Sequence, residues 1–275
     1  MNCVSRHLEY AYQDWCIGSL AERLSDTKTS QTFYRSAKKV WNLWSEELQH
    51  FAPKDNAGKW ASPFDINVCR KDSWNDPYFY EGVSRSWTYN VQADFAGLVA
   101  RCGGEVGFEQ HLDRYFEDKK IIAKETFMHI PYLYHYANRP DKSSKIVRRI
   151  LSKAYKPERF GIPDNEDMGC HSAFYICGLL GIYPMMGQDW YFLVAPAFER
   201  SVIRLGQSGA ELIIEAQNPS DKNVYIESAS LDGARLDRAW IRHEEIKRGA
   251  VLSFSLSSSE TDWGRHNPPP SPLSS

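Results

Sequence analysis

The stretch Gly161-Ile-Pro-Asp-Asn-Glu-Asp-Met-Gly-Cys-His-Ser-Ala-Phe-Tyr175 decides how the chain is read. Three acid or amide side chains, Asn165, Glu166 and Asp167, follow Pro163 and Asp164. An apolar helical run then opens after Gly169 with Ala173, Phe174, Ile176, Cys177, Leu179 and Leu180. Acidic groups at a helix start cap free N–H groups and complement the positive end of the helix dipole. One group suffices for that. Three in a row, between a proline turn and a buried helix, also suit a pocket that aims carboxylates at a ligand. Capping and catalysis are evenly matched on this stretch alone.

Working outward toward the N-terminus, the pattern stays helical. Leu8, Tyr12, Trp15, Cys16, Leu20 and Leu24 recur at helical spacing over residues 5–24, with Ser5 as N-cap. Phe33, Ala37, Val40, Trp41, Trp44 and Leu48 do the same over 30–50. Residues 51–80 read as a long irregular loop punctuated by Pro53, Gly58, Pro63 and Pro77. Helices are expected at about 84–102, ending at Gly103-Gly104, then at 105–118, 129–137 and 140–154.

Beyond Pro184 the period changes. Short alternating segments at Tyr191–Ala195, Ser201–Leu205, Glu211–Ala216, Val224–Ser230 and Val251–Leu256 predict an antiparallel β section. Five strands with free edges look like half of a sandwich whose other half lies elsewhere. The expected division is a helical part at 1–184, a β section at 185–258 and a Pro/Ser-rich disordered tail at 259–275.

The bulk numbers narrow the function classes. The chain has 275 residues, 33 basic and 35 acidic, and no basic stripe, which argues against nucleic acid. No apolar run approaches a membrane span, and no signal peptide opens the chain. That points to a cytosolic product or a fragment without its true start. Six cysteines form no CxxC pair, and Cys16 and Cys177 read as buried thiols. Nine Trp and 15 Tyr leave room for aromatic faces that stack on sugars. No phosphate loop is present, because Gly103-Gly104 closes a helix.

Three acids stand in loops or at helix boundaries: Glu81, Glu125 and Asp167. Taken singly, each reads as a cap or surface charge. If loops between helical hairpins open on a common end, two of them would supply a protonated and an ionised carboxyl, the pair that glycosidic hydrolysis uses. His129 is a further candidate, with a partly buried helical histidine as its ordinary reading.

Several segments resemble glycoside hydrolase family 92, the calcium-dependent exo-α-mannosidases. Leu8-Glu-Tyr-Ala-Tyr-Gln-Asp-Trp-Cys16 resembles the family's LEYAYDDWC, and Phe79-Tyr-Glu-Gly82 its general-acid segment. His129-Ile-Pro-Tyr-Leu-Tyr-His-Tyr-Ala137 resembles HIPYLYNYA. Asn165–Tyr175 resembles NEDCGQMSAWY, and Gly181-Ile-Tyr-Pro184 resembles GFYP. The motifs keep their order from about residue 4 to 256.

The resemblance implies a mainly α fold: a partial (α/α)6 toroid, then C-terminal antiparallel strands that would complete a β-sandwich begun by a missing N-terminal domain. It implies inverting hydrolysis of terminal α-linked mannose, α-1,2 foremost, from glycans. The alternative is an inactive or glycan-binding remnant. It gives Glu81 the role of general acid and Asp167 that of general base, with Asn165 beside it. His129, Glu166 and Trp87 become substrate contacts, and Glu125 a Ca2+ ligand. It also suggests secretion or a periplasm. Two departures bear on this. Lys124 stands where the family has an amide before that glutamate, which puts the calcium in doubt, and Gln92-Ala-Asp94 replaces the usual PHD.

Overall fold

The structure, a computed structural model, describes residues 2–70, 74–117, 124–206 and 208–274. It divides into two units: residues 1–108 with 270–275, and residues 109–269.

The first unit opens with a helical hairpin, α1 (Cys3–Arg23) and α2 (Thr27–Ala37). Val4, Leu8, Ala11, Trp15, Gly18 and Ala21 form the buried stripe of α1. Gly18 lets α2 come close, since a Cβ there would lie 2.7 Å from the Tyr34 ring. Ser25 turns the chain at φ 61°, and the Asp26 carboxylate caps α2 by accepting from the Thr29 N–H at 3.1 Å.

The expected helix over 30–50 stops at Ala37. A 3-10 turn over Lys38–Leu43 leads into β1 (Trp44–Ser45), which pairs with β2 (His50–Phe51). Trp41, Trp44 and Phe51 cluster with ring centroids 5.4–5.8 Å apart, so the aromatics that suggested a helical face serve a hairpin instead. The expected helix over 84–102 is likewise two, α3 (Ser84–Trp87) and α4 (Phe95–Arg101). Asp94 breaks it by capping α4 through the Gly97 N–H at 3.1 Å. A side chain at Gly97 would collide with that carboxylate at 2.5 Å.

The tail is ordered, contrary to the reading of 259–275 as disordered. Leu273 is buried against Trp15, Ala37 and Ala93. Its N–H donates to the Ala93 carbonyl at 2.9 Å, and Ser271 Oγ accepts from Ala96 N at the start of α4. The Ser274 hydroxyl donates to Asp94. Proline content suggested disorder, but prolines also limit the freedom an unbound segment would lose on docking.

The unit boundary falls within α5 (Gly104–Phe116). The second unit holds a 3-10 segment, Ile130–Ala137, buried throughout, then α6 (Pro140–Ala154) and α7 (Cys170–Leu180). Gly178 lets α7 meet α6, as a Cβ there would touch Leu151 at 2.9 Å. Two sheets follow. One joins β3 (Ile182–Pro184), β4 (Trp190–Leu193) and β9 (Trp240–Arg242). The other has the order β5 (Arg200–Leu205), β6 (Ala210–Gln217), β10 (Ala250–Ser257), β7 (Tyr225–Leu231), β8 (Ala234–Leu236), with α8 (His243–Ile246) before β10.

The β section differs from expectation in two ways. It is not wholly antiparallel: β10 enters between β6 and β7 and runs parallel to β6, with Leu252 opposite Ile214. The apolar face of the five-stranded sheet also finds partners within the chain. Leu252, Phe254 and Leu256 of β10 share one core with Ile182, Leu193 and Ile241 of the smaller sheet. Strict alternation along β10 sends Ser253, Ser255 and Ser257 to the other face.

His135 lies wholly buried in this unit. Its Nδ1 is 2.7 Å from the Tyr132 carbonyl and 2.9 Å from Ser143 Oγ, and its Nε2 is 2.9 Å from the Leu193 carbonyl. Burial pushes the imidazole down to about 4 against the pull of those carbonyls. An unfolded histidine takes its proton near pH 6.5, as a free side chain does. The unfolded state therefore binds more protons through this window, and stability rises with pH. Acidification from about pH 7 to pH 5 is expected to cost about 2 kcal/mol through this one group. Urea unfolding of the wild type and His135→Gln at both pH values checks it. An equal acid slope in the variant would assign the loss to other groups.

Candidate active site

The first unit positions Glu81. The opening N–H groups of α1 have no partners within the helix. They donate to the loop instead: Cys3 N to the Pro77 carbonyl at 3.1 Å, Val4 N to that of Tyr78 at 3.0 Å. Ser5 is not the N-cap; it lies inside α1, and its hydroxyl accepts from Tyr80 N at 2.9 Å. Asp76 ties the same loop from within. One carboxylate oxygen accepts from Tyr78 N and Phe79 N at 2.8 Å each, the other from Arg70 N at 2.6 Å. Burial would raise the Asp76 carboxyl, but these N–H groups outweigh it and hold it below its usual range.

Glu81 follows at φ 47°, in the left-handed region. A residue with a Cβ costs about 1–2 kcal/mol there. Its side chain is half-buried. Trp87 is buried, with 3% exposure, and its indole N–H donates to the Tyr80 carbonyl at 2.8 Å. It acts here as a support of the Glu81 loop.

The second unit holds the other candidates. Lys124 leads into a 3-10 turn at Glu125–Phe127, and His129 follows fully buried. The acidic loop starts from a tight turn in which Lys156 N donates to the Gly161 carbonyl at 2.8 Å. Only glycine fits at 161, because a Cβ would lie 1.9 Å from the Lys156 carbonyl. Asp164 accepts from Asn165 N at 2.9 Å through Oδ1, and its Oδ2 is 2.7 Å from the Lys124 ammonium. The bond from Lys124, and then that from Asn165 N, lower the Asp164 carboxyl.

Glu166 takes the capping role. Its Oε1 accepts from Ser172 N at 3.0 Å, in the first turn of α7. Asp167 opens the short turn Asp167–Gly169 and is exposed, as is Asn165. Met168 beside it has φ 54° and is fully exposed. Behind the loop, His171 Nδ1 lies 2.9 Å from the Tyr155 hydroxyl. Burial raises the Cys170 thiol, and the charges of Glu125 and Glu166 add to it.

The second unit thus gathers Lys124, Glu125, Asp164, Glu166 and Asp167 on one pair of segments. Glu81 and Trp87 belong to the first unit. Sequence reasoning gave Ser5 only as a helix cap, named Asp164 without a partner, and passed over Asp76. Asp76 alone left a signal, as an acid before Pro77 in a turn-rich loop.

Comparison with known proteins identifies the family. The model of the glycosyl hydrolase family 92 catalytic domain matches residues 1–258. The chain belongs to glycoside hydrolase family 92. A family GH92 α-mannosidase from Bacteroides thetaiotaomicron has a similar structure, with TM-score 0.89 and 27% identity over 98% of this chain and 36% of that one. Its complex with mannoimidazole gives TM-score 0.89 at 26% identity, over 98% of this chain and 38% of that one. A family GH92 inverting mannosidase from B. thetaiotaomicron VPI-5482 gives 0.87 at 28%, covering 99% of this chain and 40% of that one. A protein of Arthroderma benhamiae described as an uncharacterized secreted glycosidase is 29% identical, over 98% of this chain and 37% of its own length. The family 92 chain therefore spans little more than a third of these relatives. None of its helices, among the described residues, is long and apolar enough to cross a membrane.

Proposed function

We propose that this chain carries the acid and base of an exo-acting α-mannosidase that removes terminal α-linked mannose, α-1,2 foremost, from glycans with inversion. What supports the reading is the likeness, over 99% of the chain, to the inverting mannosidase of B. thetaiotaomicron VPI-5482. Glu81 donates a proton to the leaving oxygen. Asp167, exposed at the mouth of its turn, takes a proton from the attacking water, and Asn165 orients that water. Inversion asks for about 6.5–9.5 Å between the two carboxyl groups, with the water between them. His129 and Glu166 hold the loops that meet the sugar. Trp87 serves the substrate through the Glu81 loop. On this reading the helices belong to an (α/α)6 toroid, and an N-terminal β-sandwich domain would complete the enzyme. Secretion follows the description of the fungal relative.

The family's calcium does not fit the donors present. Lys124, next in sequence to Glu125, holds its ammonium 2.7 Å from Asp164, and among the described residues no three His, Cys, Asp or Glu side chains come together as a metal group. Calcium takes six to eight hard oxygen ligands, and an ammonium already held on Asp164 takes up a carboxylate that such a site would draw on. No step above is routed through the ion. The same ion pair favours a second reading, a remnant that binds glycans without hydrolysing them.

Proton NMR of α-1,2-mannobiose incubated with the chain tests both. First appearance of the β-anomer of mannose supports the inverting enzyme, and α-anomer would mean retention. Chemical-shift changes in the sugar without turnover, from a sample with native circular dichroism, would favour the remnant.

A further inference from the structure

Lys124 and Asp164 are joined at 2.7 Å, with side chains 30% and 25% exposed. The pair bridges the segment that carries Glu125 to the loop that carries Asp167. Asp164 uses both oxygens, Oδ2 on the ammonium and Oδ1 on the Asn165 N–H. Two residues on, Glu166 is fixed to α7 through Ser172 N. Asp167 therefore follows a loop segment pinned twice, once to Lys124 and once to the helix start.

We infer that the Lys124 ammonium does here what a divalent cation would do: it neutralises the acidic loop and sets the position of Asp167, so that this region gains nothing from calcium. Lys124 is a positioning residue, acting on Asp167 through Asp164. The metal side of this rests on the family 92 reading; the positioning side rests on the ion pair. Three features make the substitution chemically sound. The ammonium carries its positive charge on the chain, so no ligand set has to be assembled. It donates hydrogen bonds, which suits a carboxylate oxygen. It also sits 2.7 Å from the Asp164 oxygen, so a second cation drawn to that carboxylate would meet repulsion at short range.

The test is hydrogen exchange of the amides over 161–170 in the full 275-residue chain, in calcium chloride and in EDTA. The wild type is expected to exchange at the same rate in both. Lys124→Met is expected to speed these amides by about two- to fivefold in both media, the range for a partly exposed ion pair. Amides of α6 and β10 are expected to stay unchanged. Lys124→Arg, which keeps the charge and the donors, should restore protection. Slowing of the wild-type loop by calcium would overturn the inference, because a metal would then order what the lysine is said to order. Unchanged exchange in Lys124→Met would overturn it as well. Exchange does not depend on turnover, so an inactive chain still gives a decisive answer, and failure of the mannosidase reading shows only in the NMR assay.

Discussion

Glu81→Gln is expected to lower kcat on α-1,2-mannobiose by about two to four orders of magnitude, the usual contribution of a positioned general acid. The amide keeps the shape of the carboxylic acid but has no proton to give to the leaving oxygen. The size of the loss should depend on the leaving group. A dinitrophenyl α-mannoside departs without protonation, so Glu81→Gln should cost little on it. Asp167→Asn removes the base that activates water and should slow both substrates alike. The backbone does not confuse the result: glutamine bears the same left-handed strain at φ 47° that glutamate bears. The loop is also held by Ser5 and Asp76. Equal losses for Glu81→Gln on the two substrates would mean that Glu81 is not the proton donor.

The proposed proton donor sits at a backbone angle that no sequence period announces. The helical stripe of α1, the starts of α6 and α7 and the alternation in β10 were all readable, because each is a local period or a local cap. Where reading failed, a distant residue decided the outcome. Trp41 and Trp44 sit at helical spacing, yet Phe51 draws them into a hairpin. Asp94 sits inside a helical pattern, yet it serves as a cap that also accepts the Trp41 indole N–H at 2.7 Å. β10 lies between β6 and β7 and runs parallel to β6, a pairing that no turn signal announces.

The candidate site divides along the same line. Acidic residues at the start of α7 were legible as a cap or a site, and the structure gives the cap to Glu166 and leaves Asp167 exposed. Lys124 was legible as an odd residue beside Glu125. Its partner was not, because Asp164 lies forty residues on and only the fold joins them. Ser5 shows the opposite error. Its place at a helix start suggested a cap, while its hydroxyl serves a loop 75 residues away.

The largest stability effect is expected at Arg139, where charge is buried to best purpose and at most risk. Pro140 opens α6, and Asp141 stands in its first turn, where a carboxylate favours the helix dipole. Asp141 is also among the least exposed acids, with 1% of its side chain in contact with solvent. Arg139 meets it with a fork: Nε donates to Oδ1 at 2.9 Å and Nη2 to Oδ2 at 2.7 Å. The other arm reaches Glu109 at 2.6 Å, and Glu260 lies at 3.3 Å. These partners, Asp141 first, hold the guanidinium protonated more firmly than usual. Lys142 extends the network to Glu109 and Asp113.

Arg139→Met removes the fork and leaves the Asp141 carboxylate buried. Breaking a buried pair in this way costs about 3–5 kcal/mol. Arg265, 3.8 Å from Asp141, remains as a weaker partner and should hold the cost toward the lower figure. The reverse variant, Asp141→Ala, should cost about 1–2 kcal/mol, because Arg139 is more exposed and keeps Glu109 and Glu260. Removing both charges, as Arg139→Met with Asp141→Leu, should recover much of the loss, since the penalty lies in the orphaned carboxylate and not in the missing attraction. Urea unfolding of the three variants near neutral pH reads the cycle. A cost for Asp141→Ala that exceeds that for Arg139→Met would show that the arginine, not the aspartate, is the group the fold cannot leave unpaired.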